Sequence, residues 1–178
     1  MLNPKIRAKR LRAEYDRVRA LHDRGGLFAI QAAHGEPPDR YVFHYTCHGI
    51  AMVLGGVPIY SADHQVAVTL TDTYPTTAPL MEWLTPIFHP NIRSDGPVCI
   101  GSWYPAKTLD QLVLMLGEMI QYRNYASHDP WNLEASLWAM SNKELFPLDN
   151  RAILDPHQTS LQAKRGSAGD SEPEIQLF

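Results

Sequence analysis

Leu11, Tyr15, Val18 and His22 recur at i, i+4, i+7 and i+11, with Leu21 beside them, so residues 4–24 are expected to form one amphipathic helix. Gly25-Gly26 end it. Beyond that point the periodicity changes. Leu27–Ala33 is a short apolar run, Tyr41–Val53 is rich in aromatic and β-branched residues, Val66–Thr71 alternates Val with Thr and Ala, and Leu80–Leu84 closes the series. These four runs are expected as strands. Between them lie the loop His34–Asp39, the turn Gly55-Gly56-Val57-Pro58 and the proline-bracketed YPTTAP at 74–79. Connections this short favour an antiparallel meander.

After Leu84 the pattern stops for over twenty residues, punctuated by Pro86, Pro90, Gly96, Pro97, Gly101 and Pro105. An irregular stretch that long inside a compact domain is usually functional. Regularity returns at Thr108-Leu109-Asp110-Gln111, which fits a capping box. Leu109, Leu112, Val113, Leu116, Met119 and Ile120 then form a wide apolar stripe, so 109–122 is expected as a core helix. Asp129-Pro130 is expected to open another, with Asp as N-cap and Pro in the first turn. Leu133, Leu137 and Met140 would share one face of it, with Trp138 alongside. Past Phe146 the apolar pattern fades, and 157–174 reads as a flexible tail. The fold class is therefore α+β: an N-terminal helix, a four-stranded antiparallel meander, a long loop and two or more C-terminal helices. One domain is expected over 1–146, with 147–178 a partly flexible extension.

Composition narrows the function. The 178 residues are 44% hydrophobic and 20% charged, which is globular. A net charge of −3 argues against a nucleic-acid binder. No apolar run approaches a membrane span, and the first residues lack the apolar core of a secretory signal. A cytoplasmic chain is expected, in which Cys47 and Cys99 stay free. Half of the sixteen Lys and Arg residues fall in the first 24 positions, and none in 41–92. A basic helix is a solvated face or a dock for an acidic partner, and charge alone favours the former.

The long loop holds HPNIRSDGPVCI at 89–100. A thiol near an amide donor can carry out acyl transfer, the thiol as nucleophile and the amide near the oxygen that becomes negative. Each residue also has a bland role. Cys99 can be an inert small hydrophobe, Asn91 a loop brace and Asp129 a helix cap. His89 is better suited to bracing than to acting as a base, since Pro90 directs it away from the following chain. In strand geometry Cys47 faces away from His44 and His48, which is poor ligand geometry, so it reads as structural. Neither a metal nor a cofactor is implied.

In order, residues 5–142 carry a basic helix, four strands, YPTTAP, HPN at 89–91, Cys99 eight residues after Asn91, WYPAKTL at 103–109, a long apolar helix and DPWNLEA at 129–135. HPN alone is a weak motif; the ordered set resembles the ubiquitin-conjugating enzymes, which carry ubiquitin-like proteins as a thioester. The resemblance implies that Cys99 accepts the modifier's carboxyl from an activating enzyme. It implies that Asn91 braces the loop and stabilises the oxyanion, with His89 as structural brace. Asp129 falls where the family often has an acidic residue that orients the incoming lysine of a target protein. It also turns the basic helix, through Lys5, Arg7, Lys9, Arg10 and Arg12, into a dock for the activating enzyme, with no role for nucleic acid or membrane. Three residues only separate Cys99 from Trp103, Thr76 replaces an exposed aromatic, Arg93 is unusual, and Tyr122–His128 are extra. These departures weigh against a RING-type ligase and suggest a divergent member, of the bacterial type found in antiphage operons. The competing readings are an inactive module on the same fold that binds a ubiquitin-like protein, and a thiol hydrolase using His89 or His128 as base.

Overall fold

A computed structural model describes residues 3–126, 128–151 and 153. The first helix, α1 (Pro4–Asp23), begins where expected: Asn3 Oδ1 accepts from Lys5 N at 3.0 Å, and Pro4 has no N–H to leave orphaned. It buries Leu11, Glu14, Val18 and Leu21. The strands are β1 (Phe28–Gly35), β2 (Pro38–Tyr45), β3 (Gly49–Leu54), β4 (Val57–Ser61), β5 (His64–Thr69) and β6 (Leu80–Trp83). Four of them, in the order β1-β2-β5-β6, form an antiparallel sheet, as the meander required. Tyr41, Phe43 and Tyr45 on β2 and Val66 and Val68 on β5 turn one face inward. That face packs with α1 and α2 (Leu109–Ile120), whose expected stripe Leu109, Leu112, Val113, Leu116, Met119 and Ile120 is fully buried. Thr108 N donates to Gln111 Oε1 at 3.2 Å, closing one half of the capping box.

The run expected as one strand over 41–53 is two. At Gly49 a Cβ would lie 2.6 Å from His64 Nε2 and 2.7 Å from Ile120 Cγ2, so only glycine lets the chain pass there. Thr46 N donates to Leu27 O as the last bond in line with the β1–β2 pairing, and beyond it the chain leaves the sheet. It forms a separate hairpin, β3–β4. Gly55 (φ +58) and Gly56 (φ +85) alone make its turn, as a two-residue left-handed turn requires, so Val57 and Pro58 belong to β4.

The third helix also departs from expectation. α3 spans Leu133–Ser141 and is capped by Asn132, whose Oδ1 accepts from Ala135 N at 3.0 Å; Asp129 caps nothing. Its small residues Ala135 and Ala139 face a second core with Ile50, Phe88 and Tyr122. Leu133, Leu137 and Met140 do share a face, but it is the outer one, 64%, 58% and 62% exposed. The helix sits beside the hairpin through Trp138 Nε1, which donates to Gly56 O at 3.1 Å.

Beyond Phe146 the chain returns to the first core. Leu27 N donates to Ile153 O at 2.9 Å, and Ile153 fills the notch left by Gly117 on α2. Asp149, held well below the usual carboxylate range by its bonds from Arg151, accepts from His48 N at 3.3 Å. The tail expected over 157–174 lies outside the described residues. Among the described residues no helix is long and apolar enough to cross a membrane.

α1 is tied to the rest by a buried carboxylate. Glu14, with no exposed surface, accepts from Leu109 N at 2.8 Å, at the unsatisfied start of α2, and from the Tyr74 hydroxyl at 2.7 Å. Arg10 and Arg17 ion-pair with it.

Candidate active site

No regular element occurs between β6 and α2, and backbone pairing holds this loop in shape. Trp83 N donates to Gly96 O at 2.8 Å, and Arg93 and Pro97 close a tight turn at 3.0 Å. Gly96 adopts φ +109 with Glu82 and Trp83 against it, which leaves no room for a side chain. The chain thereby doubles back, and Ile92 bridges Val98.

The doubling brings Asn91 and Cys99 together. Cys99 N donates to Asn91 O at 2.8 Å, and Asn91 Nδ2 donates back to Cys99 O at 3.2 Å. Asn91 Oδ1 accepts from Ala126 N at 2.7 Å. One carboxamide thus joins the thiol's backbone to the segment before Asp129. A second hydrogen on Nδ2 remains beyond the one given to Cys99 O. The Cys99 side chain is partly exposed and free of any disulfide.

His89 is fully buried, edge-on to Tyr122 with ring centroids 4.8 Å apart. Its Nδ1 accepts from Asn91 N at 3.1 Å, and burial pushes its pKa down to about 3. A neutral, enclosed ring with that nitrogen committed is a brace for Asn91 and a poor base for a hydrolase. His128 is exposed. Because unfolding releases His89 to its ordinary pKa, the unfolded chain binds the extra proton between pH 6.5 and about 3, and stability falls with falling pH across that window. A loss of about 2 kcal/mol is expected from this group between pH 7 and pH 5. Urea unfolding midpoints at the two pH values measure it; an unchanged midpoint would contradict the buried neutral ring.

Asp129 is exposed on the segment that follows. The segment is pinned to the HPN turn, since Trp131 N and Asn132 N both donate to Pro90 O, at 2.9 and 3.0 Å. Trp131, unremarked in the sequence, lines an open groove together with Cys99. The only trace of it was an aromatic following Asp-Pro. On the far side, Trp103 Nε1 donates to Pro75 O at 2.9 Å and packs on Tyr74, so WYPA and YPTTAP meet in space. Cys47 is fully buried, its thiol pushed up to about 12 by burial, which leaves it inert. Among the described residues no group of three or more His, Cys, Asp or Glu could hold a metal ion.

The basic helix is less free than its charge suggests. Arg7 donates to Leu70 O at 2.9 Å, and Arg10 to Lys107 O at 2.7 Å and Pro105 O at 3.1 Å. Lys5, Lys9 and Arg12 are exposed, Arg12 pairing with Glu36.

A family model described as ubiquitin-conjugating enzyme matches residues 44–152. The chain is 28% identical over 135 residues to ubiquitin-conjugating enzyme E2 T of Bos taurus, covering 70% of this chain and 68% of that protein. To ubiquitin-conjugating enzyme E2 S of Drosophila ananassae it is 26% identical over 121 residues, 66% of this chain and 57% of that longer protein. Among solved structures, the E2 domain of a Toxoplasma gondii ubiquitin conjugating enzyme superposes with a TM-score of 0.53 at 22% identity, covering 75% of this chain and 88% of that one. At that identity the likeness speaks for the fold.

Proposed function

Since the chain belongs to the ubiquitin-conjugating enzyme family, we propose that Cys99 carries a ubiquitin-like protein as a thioester and passes it to an amine. The observation that carries this reading is the reciprocal pairing of Asn91 with the Cys99 backbone, which holds a partly exposed cysteine and an amide donor in one turn. In loading, the Cys99 thiolate attacks the thioester carbonyl held by an activating enzyme, and that enzyme's thiolate leaves. In discharge, a neutral lysine amine attacks the Cys99 thioester. The tetrahedral intermediate collapses to an isopeptide bond and releases the Cys99 thiolate. Free lysine has a pKa of about 10.4, so the amine must lose a proton to react. Asp129 orients it and accepts that proton; the Asn91 amide stabilises the oxyanion, and His89 positions Asn91.

On this reading residues 1–146 form the conjugating unit and 147–178 extend it. The activating enzyme docks on α1 through Lys5, Lys9 and Arg12, with Arg7 and Arg10 holding the helix to the loops beneath. A cytoplasmic site of action and membership of a bacterial antiphage system belong to the same proposal, the latter resting on the short spacing from Cys99 to Trp103 together with Thr76, Arg93 and the extra residues Tyr122–His128.

Incubation with ubiquitin, ubiquitin-activating enzyme and ATP is expected to give an adduct that reductant removes and Cys99→Ala abolishes. Absence of the adduct with ubiquitin, and with every other ubiquitin-like protein offered together with its own activating enzyme, would instead favour an inactive module that holds a ubiquitin-like protein without chemistry. The accessible Cys99 thiol supports the enzyme over that module.

A further inference from the structure

The groove beside Cys99 encloses about 570 Å³, and its walls include Leu80, Met81, Ile100 and Trp131. None of its lining residues bears a charge. Asp72 and Glu82, the nearest acidic neighbours in sequence, are exposed and stand outside the lining. Leu80 and Trp131 are 65% and 46% exposed, which leaves hydrated apolar surface on both sides of the groove's lining. The Leu80 backbone pairs with Thr69 in the sheet, and the Trp131 backbone is held by its bond to Pro90. The groove is therefore uncharged and mostly apolar, with Thr71, Thr73 and Thr77 as its hydroxyls, and it includes Cys99.

An amine that discharges a thioester must arrive uncharged. The uncharged lining favours the neutral amine, because removing water from around the ammonium lowers its pKa, and Asp129, just before Trp131 in the chain, is left to take the proton. Charged residues flanking that amine would have to be desolvated against the same wall, at a cost. The segment bearing Trp131 also bears Asp129, so the wall is continuous with the proposed amine-orienting carboxylate. We propose that this groove selects the acceptor: it takes a lysine-bearing segment with apolar neighbours, and Leu80 and Trp131 set the preference. The inference rests on the thioester reading of Cys99 and is separable from it.

The test uses the full chain loaded with ubiquitin by ubiquitin-activating enzyme and ATP, with activation then stopped by chelating magnesium. Single-turnover discharge is followed onto two peptides, one with lysine between leucine and valine, the other with lysine between aspartates. The apolar peptide is expected to react about tenfold faster, the scale that burying one aliphatic side chain implies. Trp131→Ala should shrink that ratio towards one. Leu80→Glu should transfer the preference to a third peptide with arginine flanks. Both positions are exposed, so the fold tolerates either change. Equal rates for the first two peptides on the unaltered protein would overturn the proposal. So would equal slowing of every peptide in the variants, which would assign the groove to the modifier's own tail. Failure to load Cys99 with ubiquitin, and with every other ubiquitin-like protein offered with its own activating enzyme, would strike the conjugating reading itself.

Discussion

Asn91→Ala is expected to slow discharge of a Cys99 thioester to lysine by ~10²–10³-fold, the scale seen on removing one oxyanion donor in acyl transfer. Loading is expected to fall far less. The difference follows from where the amide acts. In loading, the donor thioester arrives on another protein, which brings its own surroundings for the carbonyl oxygen. In discharge, on the proposed thioester reading, the carbonyl is carried by Cys99, whose backbone oxygen already accepts from Asn91 Nδ2. Alanine also removes the bonds to Cys99 O and Ala126 N, at 3.2 and 2.7 Å. Part of the loss will therefore be loop order. Single-turnover loading and discharge, measured separately, divide the two effects. Equal losses in both steps would mean that Asn91 only braces the loop.

Glu14→Ala is expected to destabilise the fold by about 3–5 kcal/mol, the range for removing one partner from a buried charged cluster. The carboxylate has no exposed surface and answers four groups: Arg10, Arg17, the Tyr74 hydroxyl and Leu109 N. Without it the start of α2 loses an acceptor, and the Arg10 guanidinium is left partly buried over the Tyr74 ring. Glu14→Gln should cost less, because the amide oxygen still accepts from Leu109 N; its NH2 group, however, faces arginines. Chemical denaturation of the three proteins gives the order. A loss under about 1 kcal/mol for alanine would show that solvent reaches the cluster readily.

Glu14 also shows what a sequence hides. It lies on the buried stripe with Leu11, Val18 and Leu21, yet a carboxylate on an amphipathic helix reads as solvated, and its partners stand 60 and 95 residues away. Where apolar period and local caps agree, as in α1 and α2, the element was legible. The Tyr41–Val53 run was misread because β-propensity continues through Thr46–His48 while Gly49 must squeeze past His64. Pro58 suggested a turn, but β4 is flanked only by β3, and an edge strand tolerates a residue without an N–H. Asp129-Pro130 satisfied the pattern for a helix start, and Asn132 satisfied the geometry. At the site, Cys99 and Asn91 were legible from spacing, whereas Trp131 was not: nothing local tells a groove wall from a core aromatic.

The four indoles are unevenly placed. Trp83 is 5% exposed, while Trp131 is 46% exposed and shares its groove with the Cys99 thiol. Trp103 and Trp138 are anchored through their ring nitrogens to backbone carbonyls. Trp131 is the most exposed of the four, and its emission is expected to be the first that a soluble quencher reaches. Because Trp131 and Cys99 line one groove, an occupant of that groove is expected to alter this quenching before it alters that of the other indoles.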